Sequence, residues 1–255
     1  MIRSLKRKFY KIIRTIILKS LSEKYGKEVF CRIDASRKLI HDAYPEIEIL
    51  KYTGIHIVFD RKTNVKEGKD VKLYSPYHID DCSIGDYTYI AQNPYISMTT
   101  IGKFCSIGPN LVCGWGIHPL NGISTHPMFF STMKQNGITL SAENKVEERK
   151  PITIGNDVFI GANVTILDGV SIGDGAVIGA GAVVSKDIPP YAVAVGCPIR
   201  ILKYRFPEDL CKRLRQIEWW NFDLEHLKDV EANLFSVNDF LDKYGKAEVI
   251  GVVNE

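Results

Sequence analysis

Two histidines stand eight positions apart in the stretch GWGIHPLNGISTHP, residues 114–127: His118 and His126. An unperturbed imidazole titrates near a pKa of about 6.5, so either one can accept a proton at cellular pH. Such a base suits a reaction in which a hydroxyl attacks, because an alcohol that keeps its proton is a poor nucleophile. A covalent route is not supported. The chain has no GxSxG elbow, and its cysteines at 31, 82, 105, 113, 197 and 211 show neither CxxC nor CxxxC spacing. That scatter argues against a zinc knuckle and against a dense disulfide framework, and reads as buried reduced thiols.

The elements that must hold these histidines are periodic. From residue 154 the chain reads IGNDVF IGANVT ILDGVS IGDGAV IGAGAV VSKDIP. Aliphatic residues fall at 154, 160, 166, 172, 178 and 184, and the fifth place of each hexad is Val158, Val164, Val170, Ala176, Ala182 and Ile188. Such a repeat predicts a solenoid of short strands, each facing its aliphatic residue inward, with a small residue next to permit a tight corner. Three hexads close one triangular coil, and coils stack at the strand spacing of about 4.8 Å. This is the pattern of a left-handed parallel β-helix. A less regular block upstream starts hexads at 84, 90, 96, 101, 107 and 113, with one step a residue short at 96–100; residues 73 and 79 start an earlier coil. The thirty-two residues 119–150 between the blocks carry no hexads, and a loop of that length inside a compact domain is usually functional or disordered.

The flanks differ in character. Residues 1–30 hold nine Lys or Arg and two Glu, a local charge of +7 in a chain whose net is +3. Apolar residues at 2, 5, 9, 12, 13, 16, 17 and 21 recur at helical steps, predicting an amphipathic helix with a basic outer face. Two readings stand: attraction to an anionic membrane surface or polymer, or packing on the protein itself with the basic face in solvent. Beyond Pro207, helices are expected at about 207–219, 223–233 and 236–243, capping or bracing the open end of the β-helix. The domain reading is thus 1–70 basic helix and lead-in, 71–206 β-helix with the insertion 119–150, and 207–255 helical extension. No apolar run approaches the ~20 residues of a membrane span, and no secretion signal is evident, so a cytoplasmic location is expected. Nothing calls for nucleic acid as a partner.

The sequence resembles the hexapeptide-repeat acyltransferases, and among them the xenobiotic-type branch of chloramphenicol and streptogramin acetyltransferases and their saccharide-acetylating relatives. The motifs are IGKFCSIGPNLV, His118 followed by STHPMF, PITIGNDVFIGANVTI, and the closing GAGAVVSKDIPPYAVAVGCPIRILKYRF with WW at 219–220. The resemblance implies a homotrimer with active sites in the clefts between β-helices, and acetyl-CoA as donor with no metal. It also implies that the insertion covers the acceptor pocket. It places the catalytic base at His118, which ends the last hexad before the insertion. His126 then shapes the acceptor pocket or is a surface residue. Trp115 offers an acceptor a stacking face, and Tyr89 reaches the same cleft from the coil below. The resemblance sets the pantetheine arm of coenzyme A along Ala162, Gly179 and Ala180, and its phosphates near Lys186, Arg200 and Lys203. Phe159 stands where relatives more usually carry Trp, which keeps the apolar contact and loses the indole N–H.

The basic N-terminal segment favours a saccharide of a surface glycan as acceptor, with an antibiotic hydroxyl or a sugar amine as alternatives. Two other functions use the same fold. A metal enzyme like the γ-class carbonic anhydrases needs three histidines on one cleft, for which His78, His118 and His126 are the candidates. A scaffold without catalysis needs none.

Overall fold

The computed structural model of the protein describes residues 29–33 and 55–245. The basic segment 1–30 lies outside these residues apart from Val29 and Phe30, so the amphipathic helix expected there is not described. Val29–Ile33 is a strand that pairs antiparallel with Ile55–Phe59.

From Arg61 onward the chain winds as a three-faced left-handed β-helix. Face one stacks Arg61, His78, Tyr95, Val112, Thr165 and Val183 in parallel register. Face two stacks Ser83, Thr100, Thr153 and Ser171. Face three stacks Lys72, Tyr89, Ser106, Phe159, Val177 and Val193. The hexad aliphatics fill the axis: Ile154, Ile160, Ile166, Ile172, Ile178 and Val184 are buried, and so are the fifth-place residues Val158, Val164, Val170, Ala176, Ala182 and Ile188. A strand of only two or three residues cannot bury apolar area alone, so each rung depends on its neighbours.

The structure revises the role of the small residue after each aliphatic. Left-handed backbone falls two residues later, at Asp157, Asn163, Gly169, Gly175 and Gly181, with φ between +54° and +82°. The glycine itself is required by close approach. A Cβ at Gly161 would lie 2.6 Å from the amide nitrogen of Ala180 in the next rung, and one at Gly155 2.7 Å from that of Asp174.

The β-helix also begins earlier in the chain than the visible hexads. The first rung is Arg61–Glu67, upstream of residue 71. It is hidden in the sequence because an end rung has one neighbour and its side chains are mostly exposed and polar. The short step recurs as well. Lower coils repeat every 17 residues, the next every 18, and the last in 16, from Val177 to Val193. The shortfall lies each time between face one and face two, where Ile79 leads to Ile84 and Ile96 to Ile101. The insertion leaves and re-enters at this same corner, between Val112–Cys113 and Ile152–Ile154.

After face three ends, Arg200–Tyr204 turns back antiparallel on Ala192–Val195. Helices α1 (Glu208–Ile217), α2 (Leu224–Ala232) and α3 (Val237–Tyr244) follow. They bury Tyr191, Cys211, Leu214, Phe240 and Leu241 in a second core. They also brace the long edge between faces two and three. Trp219 packs 5.1 Å from the Phe104 ring, Lys103 Nζ donates to Asn221 at 3.2 Å, and Arg205 pairs with Asp157 at 2.9 Å.

Candidate active site

The exit from the β-helix is built from two glycines that flank Trp115. Gly114 has φ +59° and Gly116 φ +112°, values that a side-chain-bearing residue adopts at a cost or not at all. They turn the chain off face one and deliver His118 to the start of the insertion. The insertion is a folded lobe. Pro127–Phe129 forms a 3₁₀ turn, Leu140 N donates to Met128 O at 2.9 Å, Lys145 N to Phe130 O at 2.9 Å, and Thr139 Oγ1 to Ser131 O at 2.7 Å.

The two histidines are held in opposite tautomers. His118 Nδ1 lies 2.7 Å from the carbonyl oxygen of Thr125. A carbonyl can only accept, so Nδ1 carries a proton, and in the neutral ring Nε2 keeps the lone pair. His126 Nδ1 accepts from the amide of Met128 at 3.2 Å and caps the 3₁₀ turn, so in the neutral ring its proton sits on Nε2. Both rings are exposed, and His118 meets the buried Phe130 edge-on at 5.7 Å. His118 presents a base and His126 a donor.

A carboxylate that reads in the sequence as an ordinary corner residue organises this exit. Asp168, its side chain 4% exposed, accepts from Gly116 N at 3.0 Å, Lys150 N at 3.1 Å and Arg149 Nε at 3.2 Å. Arg149 Nη2 in turn donates to Gly114 O at 2.5 Å. Burial pushes the Asp168 carboxyl up, but the two backbone donors and the guanidinium outweigh it and hold it below the usual carboxylate range. Asp168 occupies the third place of its hexad, where the others hold Asn156, Ala162, Asp174, Ala180 and Lys186, so nothing in the repeat marks it.

The remaining candidates fall in several places. Trp115 is 57% exposed, with its ring 5.8 Å from Tyr95, whose own ring lies 5.1 Å from His78. Tyr95 is the member that sequence reasoning missed, since stacking of rungs brings it to Trp115 from twenty residues away. Tyr89 stands elsewhere, on face three in the outward row with Phe159, so one chain does not bring Tyr89 and Trp115 together. Ala162, Gly179 and Ala180 share the corner between faces three and one, where Gly181 N donates to Ala162 O at 2.8 Å. Arg200 and Lys203 share the antiparallel edge strand, opposite Val195 and Val193. Lys186 lies instead at the corner after Val183–Val184, so the three cations do not form one cluster within a chain. None of the three pairs with an acid among the described residues.

The thiols buried within the β-helix, Cys82, Cys105 and Cys113, are poorly suited to carry an acyl group. Burial pushes Cys82 up to about 11 and Cys105 up to about 12, and Cys113 is driven up further by the same cause. Iodoacetamide applied to the folded protein is expected to leave Cys105 and Cys113 unmodified, as read by peptide mass spectrometry. Among the described residues, no group of three or more His, Cys, Asp or Glu side chains is arranged to hold a metal ion. The rings of His78, His118 and His126 are engaged with Tyr95, Thr125 and Met128 respectively.

Known proteins resemble this chain. A family model described as bacterial transferase hexapeptide (six repeats) matches residues 151–186. The chain is similar to a chloramphenicol acetyltransferase of Klebsiella aerogenes, 34% identical over 185 residues, covering 70% of this chain and 85% of that protein. The chain belongs to the hexapeptide-repeat acetyltransferases. This acetyltransferase is also similar to a probable macrolide acetyltransferase of Lysinibacillus sphaericus, 36% identical over 155 residues, covering 59% of this chain and 86% of that one. A solved hexapeptide-repeat-containing acetyltransferase of Vibrio cholerae O1 biovar eltor, complexed with acetyl coenzyme A, shares 32% identity. It covers 54% of this chain and 69% of that chain, with a TM-score of 0.43. Among the described residues, no helix of this acetyltransferase is long and apolar enough to cross a membrane.

Proposed function

We propose that the protein transfers the acetyl group of acetyl-CoA to a hydroxyl of a saccharide by direct attack, with His118 as general base. The observation that carries this is the 2.7 Å bond of His118 Nδ1 to Thr125 O: a carbonyl accepts, so in the neutral ring Nε2 is left as the proton acceptor on an exposed ring. In the reaction the acceptor O–H gives its proton to Nε2 as its oxygen bonds to the thioester carbonyl carbon. The tetrahedral intermediate then expels the coenzyme A thiolate, and the imidazolium returns the proton to that sulfur. Membership of an acetyltransferase family supports an acetyl donor. The strip of Ala162, Gly179 and Ala180 carries no side chain larger than a methyl, which suits the close approach of a pantetheine arm, and Arg200 and Lys203 supply cations for its phosphates.

A saccharide acceptor is supported by the exposed faces of Trp115 and Tyr95 beside the exit to His118, since flat aromatic rings suit the apolar faces of sugars. Trp115→Ala is expected to raise the acceptor KM about three- to tenfold with kcat little changed, matching the 0.5–1.5 kcal/mol of such a contact. We further propose a homotrimer, in which Tyr89 and Phe159 on face three meet the lobe of a neighbouring subunit, and in which His126 lines the acceptor pocket as an N–H donor. Lys186 is assigned with Arg200 and Lys203 to the same phosphates across that cleft. A location in the cytoplasm, with residues 1–30 against the anionic inner face of the membrane, completes the reading. Two sequence relatives favour a second acceptor class, the hydroxyl of an antibiotic.

The deciding experiment measures CoA release by the purified enzyme with maltose, galactosides, nucleotide-sugars, chloramphenicol and a macrolide. Turnover on sugars supports the saccharide reading. Turnover confined to chloramphenicol or the macrolide overturns it in favour of the antibiotic. Undiminished acetylation of a membrane-linked glycan in cells after deletion of residues 1–30 removes the membrane contact.

A further inference from the structure

The insertion departs and returns at one corner of the β-helix, and a single buried carboxylate from the rung above joins the two ends. Asp168 accepts from the exit through Gly116 N, and from the return through Lys150 N and Arg149 Nε, at 3.0–3.2 Å. Arg149 closes the ring by donating to Gly114 O, and Ile117 N donates to Glu148 O at 2.7 Å. A carboxylate this deeply buried is tolerable only because each oxygen meets donors. His118 follows Gly116 by two residues. Its Nδ1–H bond to Thr125 spans the first turn of the lobe, so it forms only when the exit is held at a set distance and angle from the lobe.

We propose that Asp168 is a positioning residue for the acetyl transfer: by tying exit to return it holds His118 in the Nδ1–H tautomer, with Nε2 bare. The proposal rests on the reading of His118 as base, and its test is chosen to be separable from it. A carboxylate is required rather than an amide. Asn at 168 would keep one acceptor oxygen and turn an NH₂ group against either the Gly116 amide or the Arg149–Lys150 pair, leaving a buried donor unmatched.

The experiment uses the full chain with histidine-selective ¹⁵N labelling. The His118 signals are identified by their loss in His118→Gln. In the wild type, at a pH where the ring is neutral, His118 is expected to show one protonated Nδ1 and one bare Nε2. In Asp168→Asn both nitrogens are expected to move to averaged positions between tautomers. Acetyl-transfer kcat should then fall about ten- to hundredfold at unchanged acetyl-CoA KM, as small misplacements of a base do. Arg149→Met should shift the nitrogens in the same direction by less, and the double variant should look like Asp168→Asn alone, because the two act through one network. A purely structural role predicts a lower melting temperature and unshifted His118 nitrogens. Unshifted nitrogens in a folded Asp168→Asn overturn the proposal. If that variant does not fold, unshifted nitrogens in Arg149→Met do so. If the nitrogens shift but His118→Gln keeps full acetyl transfer, the base assignment is wrong and the tie stands.

Discussion

His118→Ala is expected to lower kcat for acetyl transfer by about 10²–10⁴-fold while leaving acetyl-CoA binding unchanged. Binding is spared because the strip proposed for the pantetheine arm, Ala162, Gly179 and Ala180, lies at the corner between faces three and one, whereas His118 leaves the corner between faces one and two. His118→Gln should be nearly as slow, since a carboxamide oxygen accepts a hydrogen bond but does not take a proton to completion. His126→Ala should cost no more than a few-fold, because its Nδ1 is spent on the Met128 amide and its Nε2 holds the proton. The contrast between the two histidines is the sharp part of the test. Measured with any acceptor that turns over, comparable losses at both positions would show that the tautomer argument fails, and an unchanged rate in His118→Ala would remove it as the base.

Gly161→Ala is expected to destabilise the fold by about 1–3 kcal/mol, whereas Gly181→Asn should fall within about 0.5 kcal/mol of the wild type. The added methyl at 161 meets two backbone atoms of Ala180, at 2.6 and 2.8 Å, and neither can swing aside as a side-chain tip would. Gly161 is also fixed by its own amide, which donates to Ile178 O at 2.8 Å. The rungs therefore have to part where hydrogen bonds set their spacing. Gly181 has the more unusual backbone, φ +71°, yet nothing lies within 4 Å of its missing Cβ. Asn163 already holds the equivalent corner at φ +58°, and Asn tolerates that region better than most residues. Urea unfolding of both variants measures the difference. Equal shifts would mean that corner conformation, not the approach of rungs, fixes the glycines.

The fold was legible because the hexad period repeats one physical demand, an inward aliphatic and a close neighbour above, six times in register. The three C-terminal helices were legible from their apolar spacing, but their packing along the Phe104 edge was not, since Phe104 and Trp219 carry no mutual signal in a single sequence. His118 stood out because it sits where the period stops. Asp168 and Tyr95 did not, because each looks like an ordinary corner or outward residue in its own hexad and gains its role from a rung above or below it. Arg149 did not because it lies in the insertion, outside any hexad, and gains its role from Asp168. The first rung at Arg61–Glu67 was missed for the reverse cause, as an end rung buries too little to show a pattern.

The irregular corner between faces one and two has a consequence for how such a chain can diversify. Every departure from the six-residue step falls there, and the lobe begins and ends within one carboxylate's reach. The stack of rungs above and below therefore does not register how long the lobe is or what it contains. Specificity is in this sense portable: a foreign lobe grafted between His118 and Arg149 inherits the rail, the base and the anchor, and needs to bring a carbonyl for His118 Nδ1 and its own way of greeting an acceptor.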